Sequence, residues 1–180
     1  ENDPIWPLLE SGYGGVLFEG YDKVKEKLYE NVEALLASRS DSDAPDVRIS
    51  WGFLDPVTVA ATFEALEIPQ DLDILKIDID SFDLDLLEAI LVAGYKPKLL
   101  MVEMNPDIPP PIAWSAAYIP TYHHLWDKVK SGHYGASASA WYTLLSRYGY
   151  GYVGLEVEDR RVECERCEHN MWFVHESVAV

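Results

Sequence analysis

Cysteine is almost missing from this chain: there are two in 180 residues, Cys164 and Cys167. Two thiols in one C-x-x-C do not make a disulfide framework. Basic residues are few as well. Lys and Arg number 14 against 31 Asp and Glu, a formal net charge of −17. That balance leaves no basic face for a nucleic-acid backbone and argues against docking on an anionic membrane. No uninterrupted apolar run of about 18 residues occurs, which argues against a membrane-spanning helix. No charged-then-apolar segment opens the chain, so no secretory signal is read, and the first residue is Glu1 rather than Met. The expectation is a processed chain or a piece of a longer one, with no compartment or oligomeric state assigned. What is present is ordinary: 48% hydrophobic residues, enough for one domain, 1–180, with a real core.

The apolar pattern alternates between strand and helix. Residues 8–12 read as the end of a short helix with Gly12 as its C-cap. Residues 15–19 form an apolar strand ending in Glu19. Val24, Leu28, Val32, Leu35 and Leu36 recur at helical spacing over 21–38. A second strand covers 46–51. Asp55-Pro56 opens a helix, with Asp55 as N-cap and Pro56 at the first helical position. Strand 73–79 precedes helix 83–93, whose Leu86, Leu87, Ile90 and Leu91 share a face. Strand 98–104 leads into a proline-rich connection, 105–120, too long to be idle. A short helix over 121–131 and a clearer one over 137–148 follow, the latter capped by Ser137. Strands 151–157 and 170–175 close the chain as a hairpin. Alternation with a terminal hairpin predicts an α/β fold: a mostly parallel sheet, helices on both faces and an antiparallel edge.

Strand 73–79 carries the most chemistry. It ends in Asp78 and Asp80, with Asp83 three positions on. Open parallel sheets bind ligands at the carboxyl ends of their strands. Strand periodicity puts Asp78, Asp80 and Lys76 on one side. Two carboxylates that close raise one pKa unless a cation intervenes, whether a cofactor's ammonium, Lys76 or a divalent metal. A divalent metal is the less favoured of these. Glu103 and Asn105 close the next strand and sit beside the pair if the strands are neighbours. Asp83 is an alternative cap for its helix.

Three ordered segments resemble the FkbM-like branch of S-adenosylmethionine-dependent methyltransferases. They are Gly14–Gly20, then Leu75–Asp80 with Pro97–Pro106, and lastly Tyr134–Ser137 with 149–154 and 170–174. The resemblance spans nearly the whole chain and implies a Rossmann-like fold with S-adenosyl-L-methionine as cofactor. The implied activity is methyl transfer, by analogy to an oxygen, on a small-molecule or glycan or lipid acceptor. It implies that Glu19, with Gly20 beside it, holds the ribose, a role strand-end acids also take in dinucleotide folds. Asp55 would lie near the adenine, in competition with its capping role. Asp78 would flank the methionine end, and Asp78, Asp80 and Glu103 are the candidate catalytic acids. Asn105, His123 and His124 are the candidate acceptor-binding residues, with His133 a further base candidate and the 105–120 loop, bearing Trp114 and Tyr118, a candidate cover. This chain lacks the first strand and glycine turn with which such enzymes begin. The missing strand would lie between 15–19 and 73–79, so the sequence reads as N-terminally truncated.

Each candidate also has a plainer reading. Glu19 is equally a solvated strand-end acid, and adjacent histidines are commonly surface residues. Cys164, Cys167 and His169 resemble a zinc set superficially, but His175 is a strand's length away, so no metal is assigned. Two rivals to an enzyme of this family stand. One is a non-catalytic methyltransferase-like scaffold using its acidic surface for protein contacts. The other is a nicotinamide-dependent Rossmann enzyme, against which the terminal hairpin counts.

Overall fold

The computed structural model of the chain describes residues 3–39, 45–120, 134–157 and 169–178. It divides into two compact units, Glu1–Leu54 and Asp55–Val180.

The first unit holds helix α1 (Trp6–Glu10), strand β1 (Gly15–Glu19), helix α2 (Lys25–Ala37) and strand β2 (Val47–Trp51). Gly12 follows α1 at φ +106, a conformation that suits glycine, and its N–H bonds Leu9 O. The helix expected over 21–38 starts later. Residues Asp22–Val24 form a 3-10 turn and leave Val24 exposed, while Val32 and Leu35 are buried as the spacing predicts. Strands β1 and β2 run parallel, Gly15 opposite Val47 and Glu19 opposite Trp51. Gly14 admits no side chain, because a Cβ there would stand 2.8 Å from Asp46 O.

The second unit holds α3 (Val59–Ala65), β3 (Ile74–Ile77), α4 (Asp83–Val92), β4 (Leu99–Glu103), α5 (Ala138–Arg147), β5 (Tyr150–Val157) and β6 (His169–His175). Its sheet has the order β3-β4-β6-β5. Strand β3 is parallel to β4, and β6 is antiparallel to both β4 and β5. This is the expected α/β class with its terminal hairpin. The sheets are two rather than one. Among the described residues, β1 pairs only with β2 and β3 only with β4.

Strand β4 is buried on both faces: Leu100, Met101 and Val102 are fully inaccessible and Glu103 nearly so. Helix α4 buries Leu86, Leu87, Ile90 and Leu91, the face read from its spacing. Helix α5 buries Ala140, Trp141, Leu144 and Leu145. Helix α3 packs on α4, and α4 on α5. Phe63 of α3 meets Tyr95 edge-on at 5.2 Å. No helix among the described residues is long and apolar enough to cross a membrane.

Ser137 caps α5 as expected and does more. Its buried Oγ accepts from Ala140 N (3.3 Å) and Trp114 N (3.0 Å) and donates to Ile112 O (2.7 Å). One hydroxyl thus fastens the proline-rich connection to the start of α5. Replacing Ser137 with Ala removes all three side-chain bonds at a buried position. Urea denaturation should show a loss of about 1–3 kcal/mol, and a loss near zero would remove Ser137 from this role.

Candidate functional site

Asp78 directly follows β3, whose last residue Ile77 pairs with Val102, one position before Glu103 at the end of β4. Glu103 in turn pairs with Asn170 of β6, and Asn170 with Glu156 of β5. Residues directly opposite one another share a face of a sheet. The carboxyl ends of β3 and β4 therefore carry acidic side chains, with Asn170 of β6 beside Glu103.

Asp80 joins these acids by a route the sequence does not show. Strand geometry ends at Ile77, so alternation no longer governs residues 78–80. Asp80 instead takes φ +55, in the left-handed region that Asp tolerates better than most residues. One carboxylate oxygen each from Asp78, Asp80 and Glu103 then lie within 4.8 Å of one another. The expected neighbourhood of Lys76 and Asp78 is present, with Nζ 2.9 Å from the carboxylate. Side chains at 15% and 21% exposure are screened less by water than a surface pair.

The turn that carries Asp80 is held from behind by Asp83. This side chain is fully buried. Its two oxygens accept from Ile79 N and Ser81 N, each at 2.9 Å. Asp83 is the first residue of α4 and reaches backwards; it does not cap the helix, whose N-cap is Phe82. Burial pushes its carboxyl up to about 7, against the pull of the two N–H donors and aided by the charge of Asp78. Ser81 O accepts from Gly135 N (2.8 Å), tying the same turn to the segment that leads into α5.

The other sequence candidates are placed as follows. Glu19 is half-buried at the end of β1, and its Oε1 accepts from Tyr21 N at 2.7 Å. Gly20 lies against the Phe53 ring, where a Cβ would come within 2.5 Å. Asp55 accepts from Val57 N, Thr58 N and the Thr58 hydroxyl at 2.8 to 3.0 Å. It caps a turn over 56–58, and the regular helix begins at Val59 rather than at Pro56. Asp55 O also accepts from Val59 N at 3.0 Å, so the capped turn leads into the helix.

Asn105 is buried with its amide turned to backbone: Nδ2 donates to Tyr134 O and Oδ1 accepts from Asp107 N. The connection carrying Trp114 and Tyr118 is bound to α4, with Tyr118 N on Asp85 Oδ2 at 2.7 Å and its ring against Phe82 at 4.8 Å. His123, His124 and His133, the helix over 121–131, and Cys164 with Cys167 lie outside the described residues. His169 and His175 stand at opposite ends of β6, and His175 Nδ1 is 2.8 Å from Ser177 Oγ.

Sequence reasoning gave Asn170 no role. It is buried to 2% exposure. A polar residue opening the apolar run Met171–Phe173 is the signal that marks it.

No protein-family model matches the chain, and no curated protein does. Among solved structures, it is similar to LepI in complex with SAM and to a structure described as a pericyclic reaction enzyme. Each has 12% identity and a TM-score of 0.37, over 89% of this chain and 36% of the other. The chain thus spans little more than a third of the length of either.

Proposed function

We propose that the chain is a domain of an S-adenosylmethionine-dependent methyltransferase, acting on a hydroxyl of a small-molecule, glycan or lipid acceptor. The observation that carries this reading is the convergence of Asp78, Asp80 and Glu103 at the carboxyl ends of adjacent parallel strands. That is where open α/β sheets bind ligands. The ordered motifs around Glu19, Asp78 and Glu103 agree with it.

The residues present suit such a cofactor. Glu19 ends a parallel strand with one carboxylate oxygen fixed by Tyr21 N, which orients the group to accept from ribose hydroxyls. When bound, the cofactor supplies an electrophilic methyl on a sulfonium. The chain's own residues orient the acceptor and receive its proton on a carboxylate oxygen of the cluster. Most of the rate gain then comes from orientation. Gly20 and Asp55 would flank the nucleoside, and His123 and His124 the acceptor, while Asn105, its amide bonded to backbone, would hold the loop that follows it.

Calorimetry of the full-length protein with S-adenosylhomocysteine tests this. The native protein should bind, and Glu19→Ala should weaken binding by roughly 10- to 100-fold. That is the loss of one or more hydrogen bonds to a charged group, about 1.5–3 kcal/mol. Absence of binding by the native protein would sink the methyltransferase reading.

A further inference from the structure

We propose that Asp78, Asp80 and Glu103, together with the side-chain oxygen of Asn170, form a binding site for one divalent cation of the oxygen-preferring kind, Mn2+, Ca2+ or Mg2+. Two independent observations converge on it.

The first is the carboxylate spacing. Three oxygens from three side chains lie within 4.8 Å of one another. Oxygen ligands stand at 2.3–2.6 Å from Ca2+, so opposite ligands are about 4.6–5.2 Å apart. The cluster fits an ion of that size as it stands and closes slightly on a smaller one. Among the described residues the cluster offers only oxygens, which selects hard cations over zinc or copper. Three carboxylates and the Lys76 ammonium leave two negative charges, the charge a divalent ion cancels.

The second is Asn170. Its Oδ1 is buried and accepts no hydrogen bond among the described residues. Buried acceptors are seldom left so. Register places Asn170 directly opposite Glu103 on the same face of the sheet, and side chains so paired have Cβ atoms about 4.5–5.5 Å apart. The amide oxygen stands beside the buried Glu103 carboxylate, and a cation bound there meets its unfilled acceptor capacity. The two half-buried aspartates form the open side, where water or an acceptor oxygen completes the shell.

The site stands independently of methyl transfer, because the metal alone is the probe. Mn2+ is titrated into the EDTA-stripped full-length protein, and free Mn2+ is followed by its electron paramagnetic resonance signal. One ion should bind per chain. Asp80→Asn, a half-buried change, should weaken it by about tenfold or more, since even outer-shell changes cost 10- to 100-fold. Asp73→Asn, at the far end of β3 and paired with Lys98, should leave it unchanged. Asn170→Asp separates the cation from a mere amide contact with Glu103. It should melt lower in EDTA, where two buried carboxylates repel, and be rescued by Mn2+. The proposal is overturned by any of three results: no stoichiometric binding, equal weakening by Asp80→Asn and Asp73→Asn, or no Mn2+ rescue of Asn170→Asp.

Discussion

Replacing Trp141 with Ala should lower the unfolding free energy by about 3–5 kcal/mol, the range for truncating a large buried aromatic. Trp141 is fully inaccessible within α5. Its Nε1 donates to Glu103 O at 2.8 Å. The ring thus fills the core and also joins α5 to the last residue of β4. Trp141→Phe separates the two contributions. It keeps most of the apolar volume and drops the N–H, leaving a buried carbonyl short of a donor, at a cost of about 1–3 kcal/mol. Urea denaturation of the three proteins measures both steps. A Trp141→Ala loss below about 1 kcal/mol would show that the helix is not anchored there. Because Glu103 contributes a carboxylate to the cluster, the same substitution should also loosen that end of β4.

Helical and strand periodicities were legible because they depend on local spacing alone. Leu86, Leu87, Ile90 and Leu91 were placed together by 3.6-residue repetition, and they are buried together. Gly12 and Ser137 were readable because caps have short-range chemical requirements. The failures lie where non-neighbouring backbone takes over. Asp83 resembles a cap, yet it serves the turn before it, since Ile79 and Ser81 present donors no other group meets. Asp80 meets Asp78 as expected, but through its own left-handed backbone after β3 has ended rather than through strand alternation. Asn170 becomes opposed to Glu103 only through the β4–β6 register. That register depends on how the hairpin docks on β4, which strand periodicity does not specify.

Asp83 should make stability fall as pH rises from about 4 to about 7. Its carboxyl titrates near 7 when folded, against 3.8 for the free group, because burial penalises the charge more than two backbone donors favour it. Below pH 3.8 both states carry the proton and the group costs nothing. Between the two values the unfolded chain ionises while the folded protein holds its proton. Stability is lost steadily through that window and levels off above pH 7. The displacement from 3.8 to about 7, at 1.36 kcal/mol per unit, is on the order of 4 kcal/mol. With 31 acidic residues in the chain, other groups also titrate, so the difference between the native protein and Asp83→Asn is the quantity to measure. Asparagine cannot ionise, and it replaces one of the two acceptors with a donor facing a backbone N–H. The variant should therefore be less stable at pH 4 by about 1–3 kcal/mol. The gap should narrow or reverse as pH climbs to 7, because only the native side chain then bears a buried charge. Denaturation curves at half-unit intervals from pH 4 to pH 8 read this directly. A gap constant across that range would mean that Asp83 is ionised throughout, with the Ile79 and Ser81 donors outweighing its burial.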